Sequence, residues 1–435
     1  MPLLSKDKTI LIITYYWPPS GGAGVQRWLK LTNYLCDMGY TIHVIAPDPE
    51  YASYAVTDKS LALEIHPNIK VHLTKSFEPL NLYQKLIGKK NMPTAGLGGI
   101  NHKNPIQKAV VFLRSNLFIP DPRKYWNKYA IKKAQQLIKE EGIKTIITSS
   151  PPHSTQLIGY ELKKMFDLRW IVDFRDMWTD IYYYSLLKHS KLSHNINLRY
   201  ERKVIETADH IVTASPVYIP FFNSKSPTVS SEKFTSIPNG YDPKDFEGFD
   251  YQQKADFVIT YTGTISDQYN IIPFLDALQM FKTNHPEASF KLQFVGSTYP
   301  ELAEEISVRK LTNHTAYSAY VPHHESISFL ETSYILLVCG PLNSSGQEGG
   351  IPAKVYEYMA SGRPIIYIGK EDGFVADMLR ETQTGISQKQ DSKKVYEYLY
   401  KHYEQWQKGI THNAPNDKIT KYSRPAQAEE YSNLL

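Results

Sequence analysis

The chain has 435 residues, 42% hydrophobic and 21% charged, which calls for two or three cores at roughly 150–200 residues each and excludes a chain disordered by composition. Its two cysteines, Cys36 and Cys339, exclude a disulfide scaffold or a Cys-based metal centre. The net charge of +5 divides into 31 Lys+Arg against 19 Asp+Glu (+12) over residues 1–240 and 18 against 25 (−7) over residues 241–435; the basic half implies either an anionic partner or a solvated lysine-rich face.

In chain order, Met1 to Lys8 precedes a short apolar run, Thr9–Thr14. With neither a long h-region nor a small-residue cleavage site, no signal peptide is expected. Thr9–Thr14 reads as a buried strand, Val25, Trp28, Leu29, Thr32 and Leu35 recur at helical spacing, and Gly39 supplies a stop. Thr41–Ala46 is the next strand. Thr145–Thr148, Trp170–Asp173 and His210–Thr213 follow, separated by helices such as Thr155–Phe166 and Leu198–Thr207. The excess of positive charge peaks over Lys85–Lys144, with 13 basic and 3 acidic residues.

A second run starts at Phe257–Thr262. Its expected strands are Lys291–Val295, Tyr317–Val321, Tyr334–Val338 and Pro364–Ile368. Its expected helices lie near Ile272–Thr283, Glu301–Leu311, Glu325–Glu331 and Lys354–Ser361. Alternating strands and helices imply parallel sheets covered on both faces. Two such runs imply an α/β chain of two doubly wound, Rossmann-like domains facing a cleft, with residues 1–245, 246–415 and a final segment 416–435. No uncharged run approaches the roughly 18–20 residues of a spanning helix, so a cytoplasmic protein, free or peripheral on the inner face of the plasma membrane, is expected.

Doubly wound sheets bind ligands beyond the carboxyl ends of their strands. The first such loop, Trp17 to Arg27, carries Gly21, Gly22 and Gly24 before a helix, where backbone N–H groups can approach a phosphate or sugar. Gly22-Ala-Gly24 followed by Asp48 mimics a dinucleotide fingerprint, but Arg27 stands at the third glycine position and the loop is too long. After Thr145–Thr148, Ser149-Ser-Pro-Pro-His153 puts His153 at a strand end, as a cleft residue or a surface one. Asp173, Arg175 and Asp176 follow the next strand; they can organise sugar hydroxyls or form an internal network. Gly263 and Thr264 end the first strand of the second run and could contact a phosphate. Finally, Lys354 in the first turn of a helix suits a bound anion, and Glu357, one turn on, suits ribose hydroxyls. No metal-ligating cluster is visible, so no metal or other cofactor is expected.

Taken in order, YYWPPSGGAGVQRW, SSPPHS, VDFRDMWTD, IPNGYD, YTGTI and KVYEYMASGRP resemble a GT-B glycosyltransferase of the retaining, family-four-like kind across essentially the whole chain. The resemblance implies an acceptor-binding first domain, a second domain binding a UDP- or GDP-sugar, and a last helix, Pro425–Leu434, that crosses back. It places Gly21 and Gly22 near the donor phosphates or acceptor, His153 at the reacting centre and Glu357 on the ribose. It implies a saccharide or lipid-linked acceptor of bacterial polysaccharide synthesis. The region Lys85–Lys144, including Ile106–Ile119, could dock on anionic lipid, and no nucleic-acid motif accompanies the charge. Two departures stand out. The family's first paired glutamate falls at Gly349, with Glu348 one place off, and Ser266 to Asn270 lacks the usual cations. A sugar-nucleotide epimerase of the same fold, a dinucleotide-dependent oxidoreductase and a non-catalytic assembly partner are the competing readings.

Overall fold

The computed structural model describes residues 8–78, 105–341, 350–411 and 417–435. The chain divides into two compact units: unit 1 holds residues up to Pro238 together with Gln427–Leu435, and unit 2 holds Asn239–Ala426.

Unit 1 is built on seven parallel strands, β1 (Thr9–Thr14), β2 (Thr41–Pro47), β3 (Lys70–Thr74), β4 (Thr145–Ser150), β5 (Arg169–Phe174), β6 (His210–Thr213) and β7 (Phe234–Ser236). Their spatial order is β3-β2-β1-β4-β5-β6-β7. Side chains alternate across a strand, so β1 sends Leu11 and Ile13 into one core and Ile10 and Ile12 into another. A strand buried on both faces can be apolar throughout, which is why TILIIT reads as a continuous run. The helix Ala23–Asp37 covers one face through Val25, Trp28 and Leu29, and it ends where Gly39 adopts φ 84°. The helices Asn127–Glu140 and Ser154–Met165 supply Leu137, Ile158 and Leu162 to the opposite face.

Unit 2 repeats the plan with β8 (Phe257–Thr262), β9 (Phe290–Val295), β10 (Thr315–Ser318), β11 (Ile335–Cys339), β12 (Ile365–Ile368) and β13 (Gly385–Gln388). The order is β10-β9-β8-β11-β12-β13, again parallel throughout. Ile335 and Leu337 enter one core while Leu336 and Val338 enter the other. The expected α/β class with two doubly wound sheets is therefore the observed one. In each unit the order reverses once, at β1/β4 and at β8/β11, and that switch point is where such sheets take ligands.

Two expected elements move. The helix expected from Leu198 begins at Lys191, because Ser190 caps it by accepting from the Ser193 amide. The strand expected at Tyr317–Val321 runs from Thr315 to Ser318 and lies at a sheet edge. Among the described residues no helix is long and apolar enough to cross a membrane.

Candidate functional site

In unit 1 the loops after β1, β4 and β5 meet around a cavity of about 410 Å³. The glycine loop is held on one side by the Gly21 amide, which donates to the Val56 carbonyl at 2.9 Å. Gly22 precedes the helix Ala23–Asp37 with φ 90° and no side-chain cap, a conformation that favours glycine. Gly24 is required for a different reason: a Cβ there would sit 2.6 Å from Nη1 of Arg175. Arg175 donates to the carbonyls of Gly24, Pro151 and Ser150, and so ties the glycine loop to the loop after β4. Its guanidinium is an internal brace.

Asp173 is likewise internal. Its carboxylate accepts from Arg27 Nη2 at 3.0 Å, Trp28 Nε1 at 2.8 Å, Ser149 Oγ at 2.7 Å and Tyr431 Oη at 2.8 Å. Burial would raise its pKa, but Arg27, Ser149, Arg175 and Trp28 outweigh that and hold it below the usual carboxylate range. Both oxygens are occupied, so Asp173 fixes the sheet end from within and does not reach the cavity. Arg27, at the third glycine position of the dinucleotide-like pattern, is buried against it.

Asp176 differs from both, because it lines the cavity. Burial raises its pKa against the opposing pull of Arg175. His153 lies beside it, its ring stacked on Trp178 with centroids 5.0 Å apart and planes 9° apart. Neither ring nitrogen makes a hydrogen bond of ordinary geometry to a described residue. Burial, then the charges of Arg175 and Lys225, push its pKa down to about 3, with only the Met177 backbone favouring the charged ring. His153 is a neutral imidazole at physiological pH.

In unit 2 a second constellation gathers at the end of β8. Gly263 adopts φ 88° and Gly296 φ 128°, and a Cβ on Gly296 would meet the Gly263 carbonyl at 2.5 Å. Gly263 and Thr264 are exposed. Lys354, at the start of the helix Lys354–Ala360, lays its ammonium 3.7 Å from the centroid of the buried Tyr261 ring, a cation–π contact. Among the described residues it makes no ion pair. Burial lowers its pKa to about 7, against the raising influence of Cys339 and Glu357. Glu357 Oε1 lies 3.0 Å from Nε2 of His323. Burial would raise the Glu357 pKa, but His323, Arg424 and Lys354 carry it below the ordinary value. From the same helix, Tyr358 Oη binds the Thr262 amide at 2.8 Å and fixes the end of β8. Glu348, and the segment 85–104 of the basic region, lie outside the described residues.

A depressed lysine beside exposed backbone has a pH signature. An anion bound near Lys354 raises its pKa, so the complex holds more protons than the free protein and affinity falls as pH rises above 7. Titration of UDP or GDP at pH 8 in buffers of different ionisation enthalpy is expected to show uptake of up to one proton.

The sequence did not single out His323, Arg114, Arg123 or Tyr16 as site residues. His323 opens a helix just after β10, a strand end and hence the expected kind of place. Arg114 and Arg123 carried no signal beyond the general basic excess.

No curated protein matches the chain. Residues 256–404, all within unit 2, match the family model described as "Glycosyl transferases group 1". Among solved structures the chain is similar to sucrose-phosphate synthase from Thermosynechococcus elongatus, at 12% identity over 98% of each chain with a TM-score of 0.65. It is also similar to a glycosyltransferase from Rickettsia africae, at 14% identity over 98% of this chain and 97% of that one, TM-score 0.62. HepE from Anabaena, solved in complex with UDP-glucose, is 13% identical over 98% of each chain with a TM-score of 0.61. The chain therefore has the GT-B fold of two Rossmann-like domains, and its residues 256–404 carry the signature of group 1 glycosyl transferases.

Proposed function

We propose that this protein transfers a sugar from a UDP- or GDP-sugar to a hydroxyl of a saccharide or lipid-linked acceptor, with retention at the anomeric carbon, in the synthesis of a bacterial polysaccharide or glycolipid. The observation that carries this reading is the buried Lys354 amine beside Glu357 and the exposed Gly263–Thr264 backbone, within the segment that matches group 1 glycosyl transferases. The likeness to a structure holding UDP-glucose supports a nucleotide-sugar donor.

The chemistry has two parts. A diphosphate leaves with its bond electrons, and its growing negative charge needs fixed positive partners. Lys354 supplies one: it is poised near its titration point when empty, and the diphosphate's own charge brings it to the ammonium. The Gly263 and Thr264 amides are further donors in this reading. Glu357, held ionised by His323, accepts from ribose hydroxyls. On the acceptor side, Asp176 meets a sugar hydroxyl, and the neutral His153 ring packs beside the reacting sugar. His153→Ala is expected to lower kcat roughly 100-fold with little change in nucleotide affinity, measured as initial rates of transfer.

Docking on an anionic membrane surface belongs to the same proposal. The helix Pro105–Leu117 exposes Phe112, Leu113 and Leu117 beside the basic segment that follows, and flotation with anionic vesicles tests it.

The deciding experiment is a thermal-shift panel of UDP, GDP, ADP, dTDP and NAD, with and without EDTA. A ligand that binds the folded state alone raises the melting temperature. The reading expects a rise with UDP or GDP that survives EDTA, followed by a product whose anomeric configuration matches the donor's. A rise with NAD alone overturns it.

A further inference from the structure

The unit 1 cavity is lined by charges of both signs, with Asp121 and Asp176 among its acidic residues. Arg114, from the helix Pro105–Leu117, and Arg123, from the turn Pro122–Trp126, both line it. Among the described residues the Arg114 guanidinium makes neither hydrogen bond nor ion pair. Arg123 is stacked against Tyr15 and Tyr16, its Cζ 5.3 and 5.9 Å from their ring centroids. One of its nitrogens reaches the Ser53 carbonyl at a long 3.4 Å, while its Nε is sealed from solvent with no partner. Burial, and after it the charge of Arg123, makes the charged form of Arg114 harder to hold. Both guanidinium groups are half-buried and keep donors that no described residue uses, which suits them to an anion entering the cavity.

The nearby carboxylates favour the charged guanidinium groups through space, Asp121 for both and Glu78 for Arg123, but their oxygens are engaged by other donors. Asp121 already accepts from the Ser154 amide at 2.8 Å, Ser154 Oγ at 2.9 Å and the Arg123 amide at 2.9 Å, which cap two helical turns. Glu78 accepts from Tyr15 at 2.8 Å and Ser76 at 2.9 Å. Asp176 stands near Arg175, and burial disfavours its ionised form.

We propose that the acceptor is an anionic saccharide, bearing a phosphate or carboxylate group that Arg114 and Arg123 bind while Asp176 takes a hydroxyl of the sugar ring. Guanidinium groups suit this task, because their fixed fork matches the two oxygens of a carboxylate or phosphate. A cavity of about 410 Å³ has room for one sugar ring with its charged substituent. The inference rests on the glycosyl-transfer reading and deepens it, by naming the acceptor's chemistry.

The test uses the full chain and compares glucose, glucose 6-phosphate and glucuronate by calorimetric titration in the presence of UDP. At least one of the two anionic sugars is expected to bind about tenfold or more tightly than glucose. Arg114→Gln is expected to erase that difference, Arg114→Lys to restore part of it, and both to leave UDP affinity unchanged. Vesicles of phosphatidylinositol in phosphatidylcholine, against phosphatidylcholine alone, separate the sources: a lipid-borne anion gives the Arg114-sensitive response there and not with the free sugars. Equal binding of glucose and its anions, with no Arg114-sensitive response to the vesicles, overturns the proposal; so does an anion preference that survives Arg114→Gln. Loss of UDP binding by the wild-type protein would instead sink the transferase reading, and the sugar comparison would still stand by itself.

Discussion

Asp173→Ala is expected to destabilise unit 1 by about 3–5 kcal/mol, the usual cost of leaving a buried charge without its partner. Arg27 would remain buried with its guanidinium facing an empty site, and Trp28, Ser149 and Tyr431 would each lose an acceptor. Chemical denaturation followed by unit 1 fluorescence is the measurement, and Asp173→Asn, which keeps the shape and one acceptor oxygen, is expected to cost less. The sign of the pH dependence is fixed too. The native carboxyl titrates below its unfolded value, so its contribution is complete above about pH 4 and is lost as pH falls through the lower native pKa. The wild-type protein is expected to lose stability over that acid range more steeply than Asp173→Asn.

Glu357→Ala is expected to weaken binding of the nucleoside diphosphate roughly 10- to 100-fold, the range for losing a charge-assisted hydrogen bond to a buried carboxylate. Its effect on stability is expected to be smaller than that of Asp173→Ala, since the Glu357 side chain is partly exposed while that of Asp173 is fully buried. Glu357→Gln keeps an oxygen for His323 and is expected to fall between the two. Equilibrium titration with UDP and GDP reads both variants directly. Unchanged affinity in Glu357→Ala would remove this residue from the donor site.

The central strands were legible because each carries an apolar stretch within a segment that is buried almost throughout. β1, β4, β8 and β11 lie at the middle of their sheets, where both faces are covered and every side chain can be hydrophobic. The edge strands were not. β3, β7 and β13 went unrecognised and β10 was misplaced, and these four are the edges of the two sheets. Lys70–Thr74 and Gly385–Gln388 have no fully buried residue, so their sequences carry no apolar run to find. The site divided along a similar line. Strand-end motifs pointed to His153, Asp176, Lys354 and Glu357. Yet Asp173 and Arg175, only two positions apart, turned inward to Arg27 and to the Gly24 and Pro151 carbonyls. Adjacent acids and bases read alike in one dimension, and only packing decides which are braces. His323 lies 34 positions before the glutamate it partners, beyond any local spacing rule.

Unit 1 draws on both extremes of the chain, residues up to Pro238 and then Gln427–Leu435. During synthesis its seven strands are all made before residues 239–426 leave the ribosome, while Tyr431, which donates to Asp173 and accepts from Arg27, is still untranslated. The nascent sheet must therefore wait with its buried ion pair one hydroxyl short and with the core that receives Ala428 and Tyr431 open. Unit 2, continuous in sequence, has no such wait. A chain cut back to Ala426 should thus keep its second unit and hold its first unit open to proteases.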